Sequence, residues 1–143
     1  MGKILCATRG GEESIKTQDA AIARAHTTGD ELVFLYIYDV EFLAHANYAL
    51  RSDVVSEEMD RMAEFLMRMA TERAQKKGVN AQYVIRHGEF DAELTAVMQE
   101  ESATLLVLGR PGKEDSLFAL EHLENLASEM QAKTGVTTCI LPE

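Results

Sequence analysis

Two turns in this sequence combine glycine with positively charged side chains, and each follows a short apolar run. Glycine lets the backbone approach a ligand closely, and the helix N-termini expected after both turns offer unpaired N–H groups and a partial positive charge. Together the turns predict an anion site, with ordinary solvated turns as the alternative. The candidate residues are Thr8, Arg9 and Gly10 in the first turn and Gly109, Arg110, Gly112 and Lys113 in the second.

The spacing within these turns excludes two common phosphate motifs. Gly109 to Lys113 reads Gly-x-x-Gly-Lys, which is two residues short of a P-loop and is not followed by a Ser or Thr. Gly10 and Gly11 do not continue into Gly-x-Gly-x-x-Gly, so a dinucleotide site is not supported. The four histidines are dispersed, and no nucleophile or acid–base pair stands out. We therefore predict no metal site and no catalytic residues.

Strand-like and helix-like segments alternate along the chain and position both turns. The apolar runs are continuous, as in strands buried on both faces. Strands separated by helices pair in parallel, so the sequence predicts a doubly wound, five-stranded α/β sheet with helices on both faces and the two turns side by side. Strands are expected at residues 3–8, 31–38, 79–86, 103–108 and 136–141, and helices at 12–28, 52–77, from about 90, and from 115 or 116 to 133.

Composition favours one soluble domain. The 143 residues, 46% of them hydrophobic, suit a single core spanning residues 1–143. The net charge of −10 opposes binding to nucleic acid or to an anionic membrane. The N-terminus leads directly into a strand-like run without a signal-peptide region, so a cytoplasmic location is expected. Cys6 and Cys139 lie in apolar strand-like segments, where reduced core thiols are expected.

Two further segments have competing interpretations. Residues 42–50 are too apolar for an ordinary loop, which leaves a packed helical extension, a flap over the crevice or a partner surface. In the second helix, five apolar residues share one face; core packing is expected, with a plastic binding surface as the alternative. These residues are Val55, Met59, Met62, Leu66 and Met69.

Four segments together resemble a universal stress protein domain over essentially the whole chain. They are residues 3–14, 31–39, 83–93 and 105–112. The resemblance implies the sheet order 3-2-1-4-5, homodimerisation through the last strand and, in one subgroup, binding of ATP or AMP. The last strand, Val136 to Leu141, has the character of a sheet edge that needs a partner. The resemblance also implies that the backbone of Ile37 meets adenine in binding members.

The nucleotide signature of that subgroup, Gly-x2-Gly-x9-Gly-(Ser/Thr), is only half present. Gly109 and Gly112 match its first half. His122 and Leu123 stand where the second half belongs. Arg9 replaces an acidic residue that contacts the nucleoside, and a guanidinium only donates hydrogen bonds. The departures predict a degenerate site at the crevice between strands 1 and 4, either vacant or taking an anion smaller than or charged differently from ATP.

The leading interpretation is therefore a non-enzymatic stress-response or signalling homodimer that requires no cofactor. The alternative is an ATP- or AMP-binding universal stress protein with slow ATP hydrolysis. A small electron-transfer or flavin domain of similar topology is a third interpretation, and the lack of tryptophan counts against it.

Overall fold

The computed structural model describes residues 2–8, 12–38, 52–109 and 116–141, which form five strands and four helices in strict alternation. This order matches the predicted one element for element. The elements are β1 (Lys3–Ala7), α1 (Glu12–Thr28), β2 (Glu31–Tyr38), α2 (Ser52–Lys76), β3 (Ala81–His87), α3 (Phe90–Glu101), β4 (Leu105–Gly109), α4 (Ser116–Thr134) and β5 (Thr137–Leu141).

The five strands form one parallel sheet in the order β3-β2-β1-β4-β5. The predicted doubly wound fold and its strand order are confirmed. β1 lies at the centre, where Cys6 is opposite Phe34 of β2 on one side and Val107 of β4 on the other. The carboxyl ends of β1 and β4 are therefore adjacent.

The two faces of the sheet form separate hydrophobic cores. Ile4 and Cys6 of β1 point to one face, whereas Leu5 and Ala7 point to the other, and all four are buried. This arrangement explains why the central strands read as continuous apolar runs. Helices α1 and α2 cover the first face with Ala21, Ile22, Ala25, Met67, Ala70 and Ala74; α3 and α4 cover the second with Leu94, Val97, Met98, Leu126 and Met130.

The packed face of α2 differs from the predicted one. Met62 and Met69 were expected in the core, but their exposed fractions are 56% and 46%, so the expectation is wrong for both. Met59 and Leu66 are half-buried at the border. The buried face is offset by one residue and built mostly from small side chains, which let the helix lie close to the sheet. Its members are Ala63, Met67, Ala70 and Ala74.

Two left-handed residues end α2 and α3. Gly78 has φ +81° and leads out of α2, where the Val79 N–H donates to Ala74 O at 3.0 Å. Val79 therefore completes the helix terminus, and β3 begins at Ala81, two residues later than predicted. Ser102 ends α3 with φ 54°, a conformation that glycine adopts with less strain than serine.

The two cysteines lie on the same face of the sheet although they are far apart in sequence. Val107 of β4 is opposite Cys6 on one side and Cys139 on the other. Two strand spacings amount to about 9.6 Å, which is beyond the range of a disulfide, and neither cysteine is part of a disulfide. Burial, and secondarily the neighbouring Cys139, raises the pKa of Cys6 to about 12. The predicted buried thiol is confirmed for Cys6, and Cys139 is half-buried.

Candidate functional site

The topological switch point of the sheet lies between β1 and β4. α1 follows β1 on one face, and α4 follows β4 on the other. The two connections diverge at this point, which leaves a crevice outside the carboxyl ends of the two strands, the usual ligand position in doubly wound sheets. Thr8 and Gly109 stand at its floor, at the ends of β1 and β4.

Thr8 is held in place by two hydrogen bonds. Its backbone N–H donates to Leu35 O at 2.8 Å, which extends the ladder between β1 and β2 by one residue. Its hydroxyl oxygen accepts a 2.8 Å hydrogen bond from Gln18 Nε2 of α1, and both side chains are buried. The last described residue before the first glycine turn is thus fixed by both the sheet and α1.

The Gln18 amide continues this contact to α2. Gln18 Oε1 accepts a 2.5 Å hydrogen bond from the Arg73 guanidinium, whose Nε lies 3.5 Å from Asp19 Oδ1. Gln18 is 2% exposed, and its donor and acceptor both have partners. A polar chain therefore runs from Arg73 on α2 through Gln18 to Thr8 at the crevice.

Gly109 is required by close packing and not by its backbone angle. A Cβ at this position would lie 3.0 Å from Thr17 Oγ1, and φ lies outside the left-handed region. Thr17 is itself buried and donates a 3.0 Å hydrogen bond to Leu141 O of β5. α1 thus uses consecutive polar residues, Thr17 and Gln18, to support the ends of β4, β5 and β1.

Sequence reasoning missed both of these α1 residues. The signal was present, because Gln18, Ala21, Ile22 and Ala25 recur at helical spacing and all are buried.

A second feature missed by the sequence analysis is a ring cluster at the carboxyl ends of β2 and β3. Tyr38 lies opposite His87 with ring centroids 5.8 Å apart, and Tyr36 lies 6.2 Å from Tyr38. The Tyr38 hydroxyl donates to the Asp60 carboxylate of α2. This contact joins the third turn of α2 to the last residue of β2.

Ile37 points to the opposite face from Tyr36 and Tyr38. It is half-buried against the core formed by α3 and α4 and pairs with Arg86 of β3. It lies near the end of β2, one strand from β1 and two from β4.

The remaining predicted site residues lie outside the described residues. These are Arg9, Gly10, Arg110, Gly112 and Lys113; residues 42–50 and the side chain of Val55 also lie outside them.

The second half of the expected signature falls inside α4. His122 and Leu123 occupy its second turn, where His122 is exposed and Leu123 packs against the core formed with α3. A leucine in this position offers neither a hydroxyl nor a close backbone approach to a phosphate.

Within the described ranges, no three His, Cys, Asp or Glu side chains come together as a group able to hold a metal ion. The same part of the chain contains no helix with both the length and the apolar character needed to span a membrane.

The geometry defines a doubly wound α/β domain with a switch-point crevice supported from α1. The model of the universal stress protein family matches residues 1–120, and the chain belongs to that family. No curated protein sequence matches the chain.

Solved structures of universal stress proteins share this fold. A family member from Burkholderia pseudomallei is 17% identical with a TM-score of 0.76, and the match covers 99% of this chain and 96% of that one. A universal stress protein in complex with cAMP is 20% identical with a TM-score of 0.70, covering 99% and 97%. One from Archaeoglobus fulgidus in complex with dAMP is 11% identical with a TM-score of 0.61, covering 98% and 96%.

Proposed function

We propose that this chain is a non-enzymatic, cytoplasmic stress-response or signalling domain whose β1/β4 crevice binds a nucleoside monophosphate or a smaller anion in preference to ATP. The proposal depends on one combined observation. The floor of the crevice is held firmly in place, but a leucine stands where ATP-binding members have the Ser or Thr of the phosphate signature. Thr8 and Gly109 are braced by Gln18 and Thr17, while Leu123 is committed to the core.

Charge and ligand size support this preference. Glu121 and Glu124 flank the α4 positions where the family places Gly-(Ser/Thr), and both are exposed. Like charges oppose the additional phosphates of ATP more strongly than they oppose a single phosphate. The cAMP and dAMP complexes of two structural neighbours each contain one phosphate, which is the ligand class that we propose.

A titration with AMP, cAMP and ATP tests the proposal, with magnesium present and absent. A ligand that binds only the native state raises the free energy of unfolding by RT ln(1 + [L]/Kd), about 2.7 kcal/mol at one hundred times Kd. We expect saturable stabilisation by AMP or cAMP, weaker stabilisation by ATP, and no phosphate release from ATP. The proposal is wrong if none of the three stabilises the protein at millimolar concentration.

Charge reversal locates the site. Arg9→Glu and Arg110→Glu should each abolish binding, because they place a carboxylate at the proposed anion position. Arg24→Glu is the matched control, since Arg24 is an exposed arginine in the C-terminal half of α1, away from the crevice. Binding that survives both site variants would show that the ligand lies elsewhere.

The second candidate is an ATP-binding protein with slow hydrolysis, and the crevice floor is as compatible with it as with the first. The crevice floor at Thr8 and Gly109 is well supported, as a phosphate site requires. Tight ATP binding with phosphate release would select this candidate over the first.

We also propose that the protein is a homodimer through β5. β5 pairs with β4 on one side, and its other side is an edge of the sheet. At that edge the Thr138 N–H donates to Gln131 Oε1 at 3.1 Å, so a partner strand must displace this side chain. Thr138→Pro removes the outward donor without removing a bond to β4 and should give a monomer, whereas Thr138→Ala should remain dimeric by light scattering. Equal masses for both variants would contradict the edge-strand dimer.

A further inference from the structure

Helix α2 carries an uncovered apolar stripe. The exposed fractions of Met62, Phe65 and Met69 are 56%, 60% and 46%. Their i, i+3, i+7 spacing places them on one side of the helix, away from the buried alanines. Scattered exposed hydrophobic residues are ordinary, but a continuous stripe of three large ones marks an interaction surface.

The stripe continues onto α1. Asp19 of α1 and Arg73 of α2 form a contact of 3.5 Å between the two helices. Ile15 and Met69 each precede this contact by four residues, and both helices run from the carboxyl edge of the sheet to its amino edge. Ile15, 42% exposed, therefore lies level with Met69 and widens the apolar surface. We call Ile15, Met62, Phe65 and Met69 the α2 patch.

Charges around the α2 patch are separated along the helix. Residues 57–64 contain four acidic side chains and one basic one, and residues 68–77 contain four basic side chains and one acidic one. This stretch is neutral as a whole in a chain of net charge −10. Two copies of the protein therefore repel each other less through this surface than the net charge of the chain would suggest, and its two halves attract each other.

The ion pairs within α2 do not prevent its charges from finding new partners. Glu58 and Arg61 are 3.2 Å apart, and Glu64 and Arg68 are 3.1 Å apart, with each of these side chains more than half exposed. Exposed pairs of this kind contribute little to stability. Replacing these ion pairs with ion pairs to another molecule therefore costs little free energy.

We infer that the α2 patch is a self-association surface, on which α2 of a second copy packs antiparallel. A two-fold axis level with Met67 brings Phe65 of each copy against Met69 of the other, and it places the acidic half of each helix on the basic half of the other, with Glu58 opposite Lys76. A parallel arrangement would put like charges together. The surface is distinct from the β5 edge, because α2 packs over β2 and β3 at the other side of the sheet. Few side chains take part, so we expect association at tens to hundreds of micromolar.

Sedimentation equilibrium of the Thr138→Pro chain isolates this contact from pairing through β5. Phe65→Gln should weaken association about tenfold, because it removes the aromatic centre of the α2 patch. Phe90→Gln is the matched control, since Phe90 is 37% exposed on α3 at the opposite face, and it should leave association unchanged. If Thr138→Pro does not fold, the same pair is compared in the wild-type chain, where the contact adds a step beyond any β5 dimer.

Charge reversal then distinguishes a second copy from an unrelated partner. Glu58→Lys alone and Lys76→Glu alone should each weaken association, because like charges then face each other at both symmetric contacts. An equimolar mixture of the two variants should restore it, since opposite charges are again paired across the two-fold axis. Absence of self-association up to about 500 µM, an unaffected Phe65→Gln chain or a mixture no tighter than its components would each overturn the inference. None of these results depends on nucleotide binding, so they leave the proposed function untouched.

Discussion

Helices α1 and α2 lie side by side on the same face of the sheet, yet they depart from amphipathic design in opposite ways. α1 turns polar Thr17 and Gln18 inward, where they are 1% and 2% exposed. α2 turns alanines inward and leaves Met62, Phe65 and Met69 outside. Each departure coincides with a surface for which a role is proposed, the crevice for α1 and the α2 patch for α2.

The difference shows that burial alone does not identify the residues that hold this fold together. In α1 the buried polar groups are satisfied by specific partners, so they fix positions as well as contribute stability. In α2 the exposed apolar residues Met62, Phe65 and Met69 contribute little to the folded monomer. The following variants test this contrast.

The largest contrast is expected between two methionines of α2. Met67 is fully buried, so Met67→Ala should destabilise the protein by about 3 kcal/mol. Met69 is 46% exposed, and Met69→Ala should change stability by less than about 0.5 kcal/mol. Urea denaturation measures both free energies of unfolding, and similar losses would refute the assignment of the two faces.

Gln18→Leu should cost about 2 kcal/mol although it replaces a polar residue with an apolar one in the core. The change leaves the Thr8 hydroxyl and the Arg73 guanidinium without the hydrogen bonds that Gln18 supplies. Chemical denaturation gives the loss, and Gln99→Leu on the exposed surface of α3 is the control. A stabilised Gln18→Leu chain would show that the polar chain is dispensable.

Gly109→Ala should destabilise the protein by about 1.5 kcal/mol, because its Cβ crowds Thr17 Oγ1 at 3.0 Å. Thr17→Val would place a methyl group where the hydroxyl was and would not relieve the crowding, so Thr17→Ala is the better partner. A double-mutant cycle should then show that Gly109→Ala costs less in the Thr17→Ala background. Strict additivity would indicate that the glycine is needed for another reason.

The smallest effect is a pH dependence of stability that comes from Cys6, which is buried in the core on the α1 face of the sheet. The pKa of Cys6 is raised to about 12 in the folded protein from an ordinary value of 9.0. The unfolded chain therefore loses this proton first, and stability falls as pH rises above 9. Between pH 8 and pH 10 the wild type should lose about 1 kcal/mol more than Cys6→Ala. Parallel pH profiles of the two proteins would argue against the buried thiol as the cause.

The fold was predictable because its central strands give a clear signal in the sequence. β1, β2 and β4 are unbroken apolar runs, and the glycines after α1 and α2 separate helix from strand. The packed face of α2 was missed because alanine gives a weak periodic signal. Methionines one residue away gave a stronger signal on the wrong side.

The candidate site was predictable only in part, for a similar reason. Gly109 draws attention because glycine after a strand suggests a close approach, and the contact with Thr17 explains it. Thr17 and Gln18 were overlooked because a polar residue on a helix is normally solvated, although Gln18 is in helical register with the buried Ala21 and Ile22. Only the packing of α1 across three strand ends shows what these two side chains support.

The placement of Val107 between Cys6 and Cys139 has a consequence for how the domain responds to oxidation. The two thiols are too far apart across the intervening strand for an oxidant to join them, so oxidation does not form a disulfide between them. The raised pKa of Cys6 also keeps the reactive thiolate scarce at neutral pH. The sheet can therefore pass from reducing to oxidising surroundings without gaining an internal cross-link between these two strands.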